Sequence, residues 1–296
     1  GYFDASFSER RIDVYPSEYA ADISLHVETG ERYVFGATTF DQQILDPELV
    51  QRAINFSPGQ PYDSELTRRM QRDLITSAYF DQVDVTTRPR GDPYYDVPID
   101  IKLTPGKKYQ YNVGIGYATD IGPKLRLGVL NRRINTKGHQ LEFETNLSKV
   151  ISDAGLTYRI PLQKPEDWFT IDTFYKLEDN DSFDSELYSA GIQRIQKREN
   201  GWIRTLFLNF RLEDYETGSI DEGISRLLTP GISYSFVTED YPPRPLEGHH
   251  SSVMTQGALD GLVTDTSFLQ VYGNTKWVFG LWSGGRILTR AEVGMT

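Results

Sequence analysis

The second half of the chain is built from short runs in which apolar and polar residues alternate. In "KLRLGVL", Leu125, Leu127 and Val129 fall on one parity, while lysine, arginine and glycine take the other. "HQLEFETNL" alternates in the same way. Because successive side chains of a strand point to opposite faces, these runs predict strands with one apolar and one polar face. The runs are about ten residues long and are separated by turn residues, as in a membrane barrel.

Two runs in this half fit the pattern less well. "WIRTLFLNFRLE" places Arg204 on the same parity as Leu206 and Leu208, and "LYSAGIQRIQKR" alternates poorly.

We count about eleven candidate strands up to residue 296, whereas a closed bacterial barrel has an even number, from 8 upward. Aromatic residues near strand ends predict interfacial girdles; these residues are Trp168, Trp202, Tyr215, Tyr241 and Trp282.

The first third of the chain has a different pattern. "YVFGATTF" (33–40) predicts a strand, and Asp46-Pro47 predicts the start of a short helix that runs through Ile54. Asp63 or Ser64 caps a longer helix, whose apolar positions have helical spacing: Leu66, Met70, Leu74 and Ile75. "QVDVTTRP" and "VPIDIKLT" predict two further strands. The order β-α-α-β-β predicts an α+β module with helices packed on a small sheet.

An internal repeat sets the predicted domain boundaries. "GYFDASF" at residue 1 and "AYFDQVDV" at residue 78 share an aromatic-Asp phrase. At an offset of about 76 residues, Gly30-Glu31-Arg32-Tyr33 matches Gly106-Lys107-Lys108-Tyr109. The repeat predicts that 1–31 is the last part of one copy, that 32–106 is a complete copy, and that 107–296 is the barrel region. A chain that begins in the middle of a repeated unit is expected to be a fragment.

The composition narrows the class of protein. Apolar residues make up 38% of the chain and its mean hydropathy is −0.47, although 18 Tyr and 15 Phe make it rich in aromatics. No stretch approaches the roughly 18 apolar residues of a membrane-spanning helix, but strands of a membrane barrel need only about half their residues apolar. The absence of cysteine excludes disulfides and thiolate metal sites. A net charge of −11 argues against nucleic acid as a main partner.

The sequence contains no pattern that predicts catalysis. His249 and His250 are adjacent, so on a strand they point to opposite faces and cannot share a metal. Glu142 and Glu144 share a face, but on a barrel strand we expect them to face the lumen. "GIGYATDIG" lacks the order of a nucleotide loop, and no Ser lies in a G-x-S-x-G context. We therefore expect a protein that is not an enzyme and has no cofactor.

Two sets of motifs resemble known families. The β-α-α-β-β unit with "YFDQVDV" after its second helix resembles a POTRA domain, the periplasmic repeat of outer-membrane insertases. "VGIGYATDIGPKLRLGVLNRRINTKGHQLEFETNLS" and "YRIPLQKPEDWFTI" resemble the first barrel strands of the TamA family, the outer-membrane subunits of the translocation and assembly module. The family's VRGY-type motif, which lies on a later loop, does not occur in this chain.

The resemblance implies a fold, a location and partners. The fold class would be α+β POTRA modules followed by an antiparallel transmembrane β-barrel, with about 11 of an expected 16 strands in this chain. The barrel would lie in the bacterial outer membrane with the POTRA domains in the periplasm. The implied function is the assembly of autotransporter-type barrels into that membrane. The implied partners are a TamB-like periplasmic protein, unfolded outer-membrane proteins and outer-membrane lipid.

Two strand edges are the candidate sites for this function. An exposed first barrel strand, predicted from Tyr109 to Ala118, could act as a template for substrate strands. Its candidate residues are Tyr109, Tyr111, Val113, Gly114, Gly116 and Tyr117. Its two glycines would weaken pairing and help the seam to open; alternatively, they relieve crowding or permit curvature. In the POTRA family the second strand lies at the sheet border and could accept a partner strand; the corresponding residues are Val83, Val85, Thr86 and Thr87.

Three other functions remain open at this point. A two-partner secretion transporter, which exports its substrate through the barrel lumen, is a related barrel. A structural or surface-antigen barrel would have no assembly activity. A soluble all-β protein, enzyme or sandwich, would share the alternation of the strands without spanning a membrane.

Overall fold

The computed structural model describes residues 1–119, 122–164, 166–180, 183–198, 200–217, 221–238, 247–261, 263–282 and 285–296, without the side chains of 18, 217, 221 and 282. The chain forms two compact units, Gly1–Lys107 and Lys108–Thr296. Within the described ranges, no helix is both long enough and apolar enough to cross a bilayer.

The first unit begins with a two-stranded hairpin. Strand β1 (Ser6–Tyr15) pairs antiparallel with β2 (Ala20–Glu28), and Ile12 lies opposite Ile23. These two isoleucines are 64% and 65% exposed, because no helix covers the hairpin within the described residues.

A mixed three-stranded sheet with two helices follows. It consists of β3 (Val34–Asp41), α1 (Pro47–Gln51), α2 (Ser64–Thr76), β4 (Phe80–Thr87) and β5 (Asp96–Pro105). The sheet order is β3-β5-β4, with β3 parallel and β4 antiparallel to the central strand β5. The predicted β-α-α-β-β order is confirmed.

The two helices differ in detail from the prediction. Helix α1 ends at Gln51 rather than Ile54, because the amides of Ala53 and Ile54 bond carbonyls three residues back, in turn geometry. Helix α2 is capped as predicted by Asp63, whose carboxylate accepts from the Glu65 amide at 2.8 Å.

The core of this unit lies between α2 and the sheet. The buried side of α2 carries Thr67, Met70 and Leu74, spaced by three and four residues, whereas Ile75 is 50% exposed. The prediction that Ile75 joins the buried face is therefore wrong, since it lies one helical step beyond Leu74. The central strand β5 supplies four side chains that are at most 3% exposed: Val97, Ile99, Ile101 and Leu103.

The two copies of the sequence repeat place the same pair of residues against each other. A Cβ added at Gly30 would lie 3.3 Å from the Cβ of Asp4, and one added at Gly106 would lie 3.0 Å from the Oδ1 of Asp81. Gly30 also has a φ of +65°, which disfavours other residues. The aspartate of the repeated phrase thus packs on the repeated glycine in both copies.

Two aspartates of this unit accept hydrogen bonds from nearby side chains. The Tyr33 hydroxyl donates to Asp4 Oδ2 at 2.7 Å, and this bond, together with burial, raises the pKa of Tyr33 to about 12. Arg90 donates from Nε to Asp96 Oδ1 at 2.8 Å. The hydrogen bond from Arg90 lowers the pKa of Asp96 below its ordinary value.

The second unit is a single antiparallel sheet of eleven described strands. In chain order they are β6 (Tyr109–Ala118), β7 (Gly122–Asn131), β8 (Gln140–Ser148), β9 (Ile151–Pro161), β10 (Asp167–Asn180), β11 (Phe183–Lys197), β12 (Ile203–Thr217), β13 (Asp221–Val237), β14 (Gly248–Ala258), β15 (Phe268–Trp282) and β16 (Gly285–Met295). Each strand pairs with its neighbours in sequence, from β6 at one end to β16 at the other. The predicted number of strands and the bounds of the first strand are confirmed.

The two faces of the sheet differ in polarity. One cavity of about 980 Å³ is lined by residues from seven successive strands, β8 to β14, so the sheet curves around it. Glu142, Asp153 and Asn209 line this inner cavity. The outer face carries apolar side chains such as Ile171, which is 45% exposed. The strands thus have a polar inner face and an apolar outer face, as their alternation predicts.

Removing a buried side chain of α2 tests the core of the first unit. Met70 is 0% exposed. We expect Met70→Ala to lower the free energy of unfolding by about 2–5 kcal/mol, because it leaves a cavity against the sheet. Met70→Leu, which keeps the volume, is expected to cost less than about 1.5 kcal/mol. Hydrogen exchange of β5 amides in increasing denaturant measures both, and equal losses in the two variants would contradict the assignment of Met70 to the core.

The ion pair of Asp96 predicts a pH dependence. Its pKa is lowered in the folded state, so its contribution to stability is complete above the unfolded value of about 3.9 and is lost as the pH falls through the folded value. The amides of Arg90 and Asp96 bond each other's carbonyls, so their hydrogen exchange reports on this site. We expect Asp96→Asn to remove the pH dependence of their protection, whereas Asp41→Asn, an exposed control on β3, retains it. Parallel loss of protection in wild type and Asp96→Asn on acidification would refute this assignment.

Candidate functional site

Strand β6 is an open edge of the large sheet. It pairs with β7 along its whole length, from Tyr109 opposite Asn131 to Ala118 opposite Gly122. Among the described strands it has no second neighbour. Half of the backbone N–H and C=O groups of such a strand point away from its partner and are free to pair with another chain.

The outer face of β6 is strongly apolar and exposed. Four of its side chains, at alternate positions, are 68–88% exposed: Tyr111, Val113, Ile115 and Tyr117. Tyr109 continues the row at 46% and stacks on Tyr111 with ring centroids 6.3 Å apart. The inner face is polar, since Gln110 accepts from Arg132 at 2.7 Å. The alternation of β6 suits an edge strand that faces lipid.

The two glycines of β6 do not relieve crowding within this chain. A Cβ at Gly116 would meet nothing within 4 Å, and one at Gly114 would lie 3.7 Å from the Arg126 Cβ, an ordinary contact. Neither glycine has a positive φ. Of the explanations predicted from the sequence, weakened pairing and permitted curvature remain, whereas crowding is not supported.

Strand β4 is the second candidate edge, and it borders the small sheet as expected. It pairs with the central strand β5, with Val85 opposite Ile101, Thr86 opposite Asp100 and Thr87 opposite Ile99. Val83 is 5% exposed and belongs to the core, whereas the Thr86 side chain is exposed. Of the predicted residues, Thr86 is the one whose side chain a partner could contact without rearrangement.

One end of the β4 edge is already engaged by helix α2. The Gln71 side chain donates from Nε2 to the Val83 carbonyl at 2.9 Å. A strand added beside Val83 would have to share the Val83 carbonyl with the Gln71 side-chain amide or displace that amide. The accessible part of the β4 edge therefore lies toward Val85, Thr86 and Thr87.

The acidic pair on the inner face is bound by arginines. Glu142 pairs with Arg159 at 2.8 Å, and Glu144 pairs with Arg126 at 2.9 Å. All four residues lie on neighbouring strands, and both glutamates line the inner cavity as predicted. Because each carboxylate is held by its own guanidinium, the pair acts as a polar lining of the cavity.

A charged cluster on the outer face was not predicted. A cavity of about 1030 Å³, the outer-face cavity, lies near the turns that precede β10 and β12 and is lined by Gln163, Lys164, Asp167, Arg194, Gln196, Lys197, Arg198, Asn200, Trp202, Tyr234 and Val253. Asp167 is 5% exposed and accepts from Arg194 Nη2 at 3.1 Å. The poor alternation of "LYSAGIQRIQKR" was the sequence signal for this cluster, and Arg204, the other departure, lies opposite its Gln196.

The aromatic girdle differs from the prediction. Trp168 lies opposite Ile195, which lines the inner cavity, and Tyr215 shares the parity of the inner residue Asn209. These two aromatic side chains face inward, because the pairing of each strand with its neighbours fixes which side of the sheet each residue takes. Trp202 does lie on the outer face, in ring contact with Phe236 at 5.4 Å. Tyr241 and the Trp282 side chain lie outside the described residues.

His249 belongs to a row of aromatic rings on the outer face. Its ring stacks on Trp277 at 4.3 Å and contacts Phe236 at 5.1 Å. The His pair lies at the start of β14, as expected for a strand entrance. Within the described ranges, no three His, Asp or Glu side chains are grouped so that they could hold a metal.

Comparison with known proteins shows which solved structures share this fold. No family model matches the chain. The chain is similar to BamA from Haemophilus ducreyi lacking POTRA domains 1–3, with a TM-score of 0.71 and 15% identity, over 99% of this chain and 61% of that one. It is also similar to CdiB from Acinetobacter baumannii, with a TM-score of 0.56 and 9% identity, over 100% of this chain and 58% of that one.

The chain thus spans about three fifths of the structures that it matches. At these identities the likeness establishes the fold. The chain has the fold of a BamA-type protein: a small α+β region followed by an eleven-stranded antiparallel sheet that corresponds to a portion of the barrel.

Proposed function

We propose that this chain is part of an outer-membrane insertase that assembles other β-barrels, of the autotransporter type, by templating their strands. The position of β6 as the first strand of the large sheet, with two glycines that crowding does not require, is the observation that carries the proposal. The higher TM-score to BamA than to CdiB supports it. The large sheet spans the bacterial outer membrane and the first unit lies in the periplasm.

The mechanism follows from the cost of unpaired backbone groups in lipid. Each N–H or C=O group that enters hydrocarbon without a partner costs several kcal/mol, so an unfolded strand cannot enter alone. Strand β6 offers such a strand a row of backbone partners at the edge of a sheet whose outer face already suits lipid. Pairing along Tyr109, Tyr111, Val113, Gly114, Gly116 and Tyr117 satisfies the substrate backbone before it meets hydrocarbon.

The first unit supplies a second docking edge in this proposal. Residues 1–31 are the end of one POTRA domain, 32–106 form a complete POTRA domain, and 107–296 form the first part of the barrel. The recurrence of Asp4 on Gly30 and of Asp81 on Gly106 supports the repeat. A TamB-like periplasmic protein or a substrate adds a strand beside Val85, Thr86 and Thr87, as in the TamA family that the sequence resembles.

A two-partner secretion transporter is the main alternative. It would have the same kind of barrel but would pass its substrate through the lumen. The inner cavity of about 980 Å³ favours this alternative, because a substrate that crosses the lumen needs a polar space of this kind. Substitutions in that cavity would then impair transport, whereas substitutions on β6 would not.

Valine substitutions at the glycines of β6 test templating directly. The structure has room for both side chains, so strain should not obscure the result. We expect the Gly114→Val, Gly116→Val double variant to insert its own barrel normally but to assemble substrates several-fold more slowly, because valine strengthens pairing along the seam. The rate of substrate assembly in reconstituted membranes is the measurement.

A glycine away from the edge serves as the control for this experiment. Gly155 lies on β9, inside the sheet, and a Cβ there would meet Phe174 at 3.5 Å. Gly155→Val should leave the assembly rate unchanged. Normal assembly by the double variant, or an equal defect in Gly155→Val, would contradict templating at β6.

Site-specific crosslinking tests the β4 edge. A photocrosslinker at Thr86 is expected to capture the TamB-like protein or a substrate, because this side chain is exposed beside the open backbone. The matched control is a crosslinker at Ala37, an exposed residue on β3 at the opposite border of the same sheet. If Thr86 never captures either partner, or if Ala37 captures as much, the docking edge is wrong.

A further inference from the structure

The outer-face cavity carries an unusual concentration of positive charge. Its lining includes four cationic side chains, Lys164, Arg194, Lys197 and Arg198, and a single carboxylate, Asp167. The chain as a whole has a net charge of −11. Lys197 also pairs with Glu166 at 2.9 Å, and Asp167 pairs with Arg194. The lining is thus cationic even though these two ion pairs neutralise part of its charge.

Strand register places this cluster on the outer face of the sheet. Asp167 lies opposite Gln196, Gln196 opposite Arg204, Arg204 opposite Tyr234, and Tyr234 opposite Val253. Residues that lie directly opposite each other share a face. Arg204 also shares its parity with Leu206 and Leu208, which are 39% and 36% exposed. Charged groups therefore lie on the side that the proposed function turns toward lipid.

Arg204 borders the outer-face cavity, since it lies opposite two residues that line it, Gln196 and Tyr234. Its Nη2 donates to Gln196 Oε1, but its Nε is buried and has no hydrogen-bond partner within the described structure. The nearby carboxylate of Asp167 already accepts from Arg194 and from Gln196 at 3.3 Å. A buried guanidinium N–H without a partner is costly, so Arg204 gains from an acceptor that its side chain reaches by turning toward the cavity.

Aromatic contacts place Arg204 at the height of a membrane interface. Trp202, two residues before Arg204, and Phe236 are in ring contact and belong to the outer-face aromatic row. Near the opposite strand ends, Tyr175 and Tyr188 lie in ring contact at 4.6 Å and both donate to Glu186. Tyr188 pairs with Leu212, about ten residues beyond Trp202. At ~3.3 Å per residue and a tilt of ~40°, the two aromatic levels lie ~25 Å apart, the height of an apolar barrel band.

We propose that the outer-face cavity binds the phosphodiester headgroup of an anionic phospholipid in the leaflet on the same side as the start of β6. The inference rests on the proposed function in one respect, namely that the large sheet spans a membrane. Arginine presents a planar set of donors that suits phosphate oxygens, and the cationic lining adds attraction to an anionic headgroup. Trp202 and Tyr234 flank the headgroup at the level where such rings are enriched.

Lipid retention in nanodiscs tests this site. The full-length protein that contains this chain is inserted into discs of phosphatidylcholine mixed with phosphatidylglycerol, and the lipids that remain bound on release are counted by native mass spectrometry. We expect wild type to retain phosphatidylglycerol in preference to phosphatidylcholine. Arg204→Gln should reduce that preference about tenfold, the change expected when a hydrogen bond between charged groups is lost. Lys164→Gln, on an exposed turn, should weaken it without a risk to the sheet.

Arg126→Gln is the matched control, because Arg126 pairs with Glu144 of the inner cavity and should leave lipid preference unchanged. Equal retention in wild type, Arg204→Gln and Lys164→Gln, or an equal loss in Arg126→Gln, would overturn the site. Displacement of the lipid by millimolar inorganic phosphate would identify a free-phosphate site and overturn the lipid assignment. Insertion without lipid preference refutes this inference alone, whereas failure of wild type to insert refutes the membrane placement as well.

Discussion

Backbone hydrogen bonding is the constraint on which the rest of this structure depends. Strands β7 to β15 each pair with both neighbours, although β13 pairs with β14 only from Gly231 to Val237. Most backbone N–H and C=O groups in the interior of the large sheet therefore have ladder partners. At its ends, the sheet has open edges at β6 and β16 within the described chain. In hydrocarbon such an edge must find a partner, and in our proposal that requirement is the source of the activity.

The same constraint explains the two faces of the sheet. Once the backbone is paired, side chains alone decide what each face can contact. On the inner face, Glu142 and Glu144 are matched by arginines from neighbouring strands, so the acids can remain in a polar cavity. On the outer face, rows of leucine and isoleucine replace them. The row of residues through Arg204 is an exception, because it places charged and polar side chains on the apolar outer face. This row lies near the aromatic girdle, where lipid headgroups can hydrogen-bond its polar groups.

In the small unit, a helix protects part of the open backbone at the border of the sheet. Its helix α2 buries Met70 and Leu74 against the sheet, and Gln71 of the same helix occupies the carbonyl of Val83 at the border strand. Packing and edge protection therefore come from one element. The remaining part of β4 stays open beside an exposed Thr86, and this is the part that we propose for partner binding.

Local patterns in the sequence determined much of the fold. The short strand runs that begin at Tyr109 predicted β6 and the number of strands, and the Asp63 cap predicted the start of α2. The repeated phrase indicated two related copies. These signals arise from neighbouring residues. Only the tertiary structure decided which face each aromatic residue takes, since Trp168 and Tyr215 follow the register of strands far away in sequence. It also decided the surroundings of Arg204. The sequence marked this arginine as an exception, but Gln196 and Asp167 reach its row by cross-strand pairing, which no local pattern encodes.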